Sequence, residues 1–204
     1  MSNSAHIYLH LQTLMNAYHR SAQKRILDLT VSIVALPFAL VAVVLGSVLI
    51  LLTSGGSFLY RQKRVGCDGR EFTIYKLRTL KREASDDLSG MRPNDPDLLG
   101  VGRFLRIWRI DELPQLWNII KGDMSWIGPR PERPHIVERC ANEIPNYLER
   151  HGVLPGITGL AQVNNPDATP NDNAEKLSFD LEYIDKASLW MDLKILWKTV
   201  VTIG

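Results

Sequence analysis

The chain has 204 residues, 45% of them apolar and 23% charged, which suits one domain or one domain with an appendage and excludes wholesale disorder, collagen-like and mucin-like classes. Two cysteines, Cys67 and Cys140, with no CxxC between them exclude a disulfide scaffold and a zinc ribbon. The net charge of +2 hides an uneven distribution: residues 61–82 carry eight basic against two acidic residues, directly after the most apolar part of the chain.

In chain order, Ile7, Leu11, Leu14 and Tyr18 recur at helical spacing among polar residues, the pattern of a short amphipathic, interfacial helix. His6, His10 and His19 have no carboxylate beside them and read as surface residues rather than metal ligands. Leu29 to Thr53 then contains no charge. A straight helix of that length would measure roughly 37 Å against a hydrocarbon core of about 30 Å, and a domain this small can hardly surround it, so it reads as a membrane segment. A cleaved leader fits poorly, because the run is too long for an h-region and a basic block follows it. Pro37 lacks the N–H that would bond the Ile33 carbonyl. In lipid that carbonyl needs another partner, for which the Ser32 hydroxyl is the candidate. Arg20, Lys24 and Arg25 precede the run, and Arg61, Lys63 and Arg64 follow it. The positive-inside tendency wants both flanks on the cytoplasmic side. A helix that breaks at Pro37 and returns satisfies both; a straight span stays open on the pattern alone.

Phe58–Val65 and Phe72–Leu80 flank Cys67-Asp68-Gly69, a hairpin signal. The cations Arg61, Lys63, Arg64, Arg70, Lys76, Arg78, Lys81 and Arg82 gather there, as a face for anionic headgroups, a phosphate site, or both. The adjoining membrane segment disfavours nucleic acid. Residues 83–98 are acidic and turn-rich, a loop or lid. Gly100-Val101-Gly102 lacks the third glycine and preceding strand of a dinucleotide fingerprint. Phe104–Trp108 read as a helix. Since Pro114 is tolerated only in a first turn, the next helix is expected from about Asp111–Glu112 to Lys121, with Gly122 as its stop and Asp111 as its N-cap. Acidic residues at a helix start can be plain stabilisers. Two adjacent carboxylates beside a membrane segment can also hold Mg²⁺ and leave an oxygen free to attack phosphorus. Gly128-Pro129-Arg130-Pro131 sets an arginine, suited to phosphate oxygens, in a proline-stiffened loop. The turn Pro155 to Asn164, with Gln162 and Asn164, can hold a uracil or sugar or be a tight structural connection. Residues 174–186 and 188–203 read as helices. The second carries Trp190 and Trp197 with Lys194 and Lys198, which suits either a membrane interface or core packing.

Five segments in this order resemble the bacterial sugar transferase family, the monotopic polyprenyl-phosphate phosphoglycosyl transferases. They are KRILD at 24–28, RQKRVG at 61–66, FTIYKLRTL at 72–80, RIDELPQLWNIIKGDMSWIGPRP at 109–131 and LPGITGLAQVN at 154–164. The resemblance covers about Lys24 to Gly204 and implies transfer of a sugar 1-phosphate from a UDP-sugar to a polyprenyl (undecaprenyl) phosphate, with Mg²⁺ and release of UMP. Such a step starts exopolysaccharide, O-antigen, capsule or glycoprotein glycan assembly. The resemblance also implies Asp111 as nucleophile on the β-phosphate, forming an aspartyl-phosphosugar. Glu112 supports metal or proton handling, and Arg130 binds phosphate with Gly128 and Pro129 of its loop. Arg78, Gln162 and Asn164 are further substrate-binding candidates, and Asp111 and Glu112 are the metal ligands. The implied fold is α+β, mostly α: a monotopic membrane protein with a re-entrant helix broken at Pro37, a small β-hairpin and amphipathic interfacial helices. Its expected parts are an extension at 1–23, the re-entrant helix at 24–57 and a cytoplasmic-face catalytic domain at 58–204, a minimal form without the membrane region that precedes it in larger members. The expected location is the bacterial inner membrane, with its lipid as a partner, no nucleic acid, and a homodimer allowed. The chain departs from the pattern where many members have Ser-Pro: here the pair is Leu36-Pro37. Two other readings are a membrane-anchored phosphatase or nucleotidase, and a non-enzymatic scaffold of a glycan-assembly complex.

Overall fold

The computed structural model describes residues 17–81, 97–166, 169 and 172–203. The expected amphipathic helix before Tyr18 and most of the acidic stretch 83–98 lie outside the described residues. Helix α1 spans Ala22–Ser54. A hairpin follows, β1 (Leu59–Val65) and β2 (Glu71–Leu77), paired antiparallel from Leu59↔Leu77 to Val65↔Glu71. Then come α2 (Gly100–Ile107), a 3₁₀ segment Ile110–Gln115 and α3 (Leu116–Lys121). Strand β3 (Ser125–Ile127) pairs in parallel with β4 (Gly156–Thr158), and between them lie α4 (Pro134–Glu143) and a 3₁₀ turn Tyr147–Gly152. Helices α5 (Leu160–Asn164), α6 (Asn173–Lys186) and α7 (Leu189–Ile203) complete the order. The architecture is mostly helical with a small sheet and one long apolar helix near the N-terminus. The hairpin, α6 and α7 lie where their sequence patterns place them.

Helix α1 begins at Ser21, whose hydroxyl accepts from the Lys24 N–H, and ends at Gly55, which takes φ 58° to cap the Leu51 carbonyl. It runs through Pro37, so the expected break there does not end the helix. A proline removes one ladder bond, and the bonds on either side carry the helix past it while packing holds both halves. The Ser32 hydroxyl is also not the partner expected for the Ile33 carbonyl: it donates to the Asp28 carbonyl at 2.7 Å and accepts from Trp126 Nε1 at 3.0 Å.

One stripe of α1 is buried along its whole length: Lys24, Asp28, Ser32, Ala39, Gly46, Ser47 and Ile50. The first half of the stripe is polar. Lys24 Nζ reaches Asp192 Oδ2 at 2.6 Å and the Ile127 carbonyl at 3.1 Å, and Asp28 Oδ1 accepts from Ser125 Oγ and the Trp126 N–H. Arg25 donates to the Ile119 and Ile120 carbonyls near the end of α3. The second half is small and apolar. Ile50 joins Leu77, Leu99 and Leu105 in one core cluster, and a Cβ on Gly46 would lie 2.8 Å from Leu77 Cδ1. Both halves therefore grip the same folded body. The opposite face, including Ile33, Val34, Phe38, Val41, Val48 and Leu52, is exposed. Only 22% of the most apolar stretch of α1 is buried, in contrast to the mostly buried core helix of a soluble domain. Phe104, Ile107 and Trp108 of the α2 end, Trp117, and Trp190, Trp197, Val200 and Val201 of α7 are exposed as well.

Candidate active site

The segment Ile110–Gln115 is set by its two ends. Arg109 ahead of it takes φ 51°, a left-handed conformation that non-glycine residues seldom adopt, and turns the chain out of α2. Ile110 packs against the Ile50–Leu77–Leu105 cluster, while Gln115 and Leu116 are buried. Asp111 is therefore inside the first turn rather than at the expected N-cap, and no side chain caps this segment. Pro114 falls inside the 3₁₀ turn, where its missing N–H costs little, and Gly122 at φ 94° is the expected stop of α3.

Asp111 and Glu112 are both buried, 8% and 7% exposed. Glu112 Oε1 accepts from Lys76 Nζ and from Arg130 Nη2, each at 2.7 Å, and Arg109 Nη1 stands 3.8 Å from Oε2. Burial works against its charge, yet Arg130 and Lys76 hold its carboxyl well below the ordinary range. In turn Glu112 raises Arg130 above its ordinary value against the effect of burial. Asp111 is the reverse: burial, reinforced by the charge of Glu112, pushes its carboxyl up to about 6. No hydrogen bond or ion pair from a described residue engages the Asp111 carboxylate, and Glu112 Oε2 is buried without a hydrogen bond. These are the oxygens left for an added cation or for chemistry. Among the described residues no group of three His, Cys, Asp or Glu side chains converges.

Arg130 is presented by a loop that cannot donate from its two prolines, and so is held by its carbonyls. Gly156 N donates to Pro129 O (2.9 Å), Arg150 Nη2 to Arg130 O (3.0 Å), Arg64 Nη1 to Pro131 O (2.9 Å) and Val65 N to Glu132 O (2.9 Å). Arg150 is itself buried and bonded to Asp180 Oδ2 through Nε (2.9 Å) and Nη2 (2.7 Å). Gly128 supplies no spare donor, since its N–H bonds the Thr158 carbonyl at 3.0 Å. A Cβ on it would strike the Leu154 carbonyl, and one on Gly156 would strike the Gly128 nitrogen, so both glycines serve the close β3–β4 approach. The start of the Pro155–Asn164 turn is thus packed closely against β3. The other sequence candidates have these surroundings. Arg78 donates to the Gly55 carbonyl at the end of α1. Asn164 is exposed, accepting from Lys198 Nζ at 3.3 Å. Gln162 donates to the Ile157 carbonyl at 2.7 Å and lines a cavity of about 240 Å³ that also touches Glu112 and Arg109.

Lys76 enters the sequence reading only as one of the hairpin cations, and the Arg150–Asp180 pair not at all. Lys76 carries a signal: Phe72, Ile74 and Lys76 share one strand face, and Ile74 is core, so a lysine there faces inward. Arg150 and Asp180 lie 30 residues apart in sequence without any pattern linking them.

A model of the bacterial sugar transferase family matches residues 19–204. The chain is 42% identical over 183 residues to a UDP-N-acetylgalactosamine-undecaprenyl-phosphate N-acetylgalactosaminephosphotransferase of Aeromonas hydrophila, covering 88% of this chain and 43% of that protein. It is 39% identical over 182 residues to a UDP-glucose:undecaprenyl-phosphate glucose-1-phosphate transferase of Caulobacter vibrioides, covering 87% and 68%. It is 38% identical over 189 residues to an undecaprenyl-phosphate glucose phosphotransferase of Komagataeibacter xylinus, covering 87% and 35%. The chain thus spans less than half of the Aeromonas and Komagataeibacter relatives and about two thirds of the Caulobacter one.

Proposed function

Because the chain belongs to the bacterial sugar transferase family, we propose that it transfers a sugar 1-phosphate from a UDP-sugar to an undecaprenyl or similar polyprenyl phosphate, releasing UMP. The observation that carries this reading is the division of labour between neighbouring buried carboxylates. Glu112 is committed to Lys76 and Arg130, and among the described residues none bonds the Asp111 carboxylate. An Asp111 oxygen attacks the β-phosphorus of the UDP-sugar. The bond from that phosphorus to the bridging oxygen breaks, and UMP leaves with the electron pair. A lipid phosphate oxygen then attacks the same phosphorus and returns the Asp111 carboxylate. Arg130, kept charged and fixed by four carbonyl contacts along its loop, offsets charge on the transferring phosphoryl group. Lys76 and Arg130 keep Glu112 ionised and oriented.

Mg²⁺ is commonly held by one or two carboxylates together with substrate phosphates. Asp111 and Glu112 Oε2 fit that donor set, and when bound the ion would neutralise diphosphate charge. Enzyme mixed with labelled UDP-sugar alone, at stoichiometric amounts, is expected to release about one UMP per active site and to hold the sugar phosphate as a hydroxylamine-labile adduct. UMP release that needs lipid from the first turnover, with no adduct, would sink the covalent route. Repeated release of UMP and free sugar 1-phosphate without lipid would favour the phosphatase reading.

The site belongs at the cytoplasmic face of the inner membrane, and α1 enters the bilayer without crossing it. The contacts of Lys24 and of Ile50 with one folded body support this. The two residues would be about 39 Å apart along a straight helix, more than the hydrocarbon thickness of about 30 Å. Single cysteines at Gln23 and Ser57, in a background lacking Cys67 and Cys140, are expected to react with an impermeant thiol reagent from the cytoplasmic side only. Labelling from opposite sides would make α1 a span.

A further inference from the structure

We infer that the apolar cavity beside Glu112 receives the first isoprenoid units of the lipid substrate and that Arg109, at its edge, binds the lipid's phosphate. The inference rests on the reaction proposed above and assigns it a second subsite. The walls of the cavity are Leu113, Leu116, Trp126, Val163, Leu196 and Val200. Its volume of about 240 Å³ holds on the order of eight heavy atoms at roughly 30 Å³ each, about one to two isoprene units. The remainder of a long chain would stay outside.

Three observations favour an isoprenoid phosphate over a nucleotide or a sugar. First, Trp108 and Val200 line the cavity and are also 56% and 68% exposed, so it is continuous with the apolar outer surface and a bilayer lipid enters without crossing water. Second, the cavity offers little to a polar ligand. Thr158 and Thr199 bond each other through their hydroxyls at 2.7 Å, and the Gln162 amide donates to the Ile157 carbonyl. That leaves the acceptors Gln162 Oε1 and Glu112 Oε2, both buried without a hydrogen bond. Third, the polar edge is cationic. Lys76, Arg130 and Arg109 stand around Glu112, and Arg109 is the one whose guanidinium, 46% exposed and 3.8 Å from Glu112, is least engaged. Its left-handed backbone, φ 51° and ψ 22°, sets its place at the entry to the catalytic segment.

Steady-state kinetics in nanodiscs, with undecaprenyl phosphate and a UDP-sugar varied in turn, test the assignment. Val200→Trp and Val163→Phe fill the cavity from two walls, and Val200 is exposed enough that its variant keeps the fold. Each is expected to raise the lipid KM about tenfold while the UDP-sugar KM stays within about twofold. Arg109→Asn removes the charge with a residue that tolerates the left-handed backbone. It should raise the lipid KM likewise, with Arg109→Lys recovering part of the loss. An unchanged lipid KM in Val200→Trp, or a rise in the UDP-sugar KM instead, overturns the assignment, the second outcome giving the cavity to the nucleotide sugar. Wild-type enzyme that turns over no UDP-sugar with lipid overturns the reaction itself, an outcome the wild-type control separates from failure of the subsite.

Discussion

Asp111→Asn is expected to lower turnover by roughly 10⁴-fold or more, the order of loss when an enzymatic nucleophile is removed, while the protein stays folded. The reason is specific to this site. Asp111 takes no part in the ion pairs that join Glu112 to Lys76 and Arg130 and does not cap the 3₁₀ segment, so an amide leaves those contacts in place. Stability should even rise at neutral pH. Moving the carboxyl from 3.8 to about 6 corresponds to about 3 kcal/mol against the ionised form at most. Because the folded pKa lies above the unfolded one, the folded chain binds the proton more tightly between them. The contribution of Asp111 to stability therefore falls as pH climbs from about 4 to about 6 and levels above that, and Asp111→Asn should lose this slope. Glu112, held well below its ordinary value, stays ionised across that window. Turnover moves the other way, rising with pH as the nucleophile ionises, with a midpoint that bound Mg²⁺ lowers. Thermal melts in detergent at about pH 4.5 and pH 7, with a rate profile over the same range, measure both. Turnover by the Asn variant within about tenfold of wild type, a barrier difference of only about 1.4 kcal/mol, would remove Asp111 from the nucleophile role.

Asp180→Ala should be strongly damaging although Asp180 makes no contact with the carboxylate pair. It leaves the Arg150 guanidinium, 5% exposed, without its charge partner. Breaking a buried pair in this way costs about 3–5 kcal/mol, and at about 2–4 °C per kcal/mol for a chain of this size the melting temperature should fall by roughly 6–20 °C. Tyr147 remains, with its hydroxyl 3.2 Å from Nη1 and its ring 5.2 Å from the guanidinium carbon, and compensates only in part. The reverse change, Arg150→Met, should cost less. Burial already pushes the Asp180 carboxyl up, so it can take a proton, whereas the arginine cannot shed one. Activity should fall in both variants even where they are folded, because the Arg130 carbonyl loses its Nη2 donor. Equal losses of stability in the two variants would contradict the asymmetry, and unchanged activity would detach the pair from the loop.

The amino-acid sequence alone carried the elements whose signals are local. The uncharged run marks α1, Asp68-Gly69 supplies the turn of the hairpin, and Gly122 stops α3. The last two work through backbone conformation within a few residues. The Asp111–Glu112 pair and Arg130 stood out in the sequence as candidates, and the fold brings Glu112 and Arg130 into contact. The surroundings of each carboxylate were decided only in three dimensions. Glu112 bonds Lys76 and Arg130 from two other segments, whereas burial outweighs the nearby cations at Asp111, and that difference separates their pKa values. The same holds for Gly128, whose N–H is committed to Thr158, and for Arg78, drawn to the end of α1. Tertiary structure also carried α1 through Pro37. A proline's local cost is one hydrogen bond and a carbonyl clash, whereas the buried stripe from Lys24 to Ile50 engages the folded body on both sides of it. Long-range contacts of this kind, like the Arg150–Asp180 pair, leave no periodic trace in the chain, since they depend on which surfaces meet rather than on spacing along it.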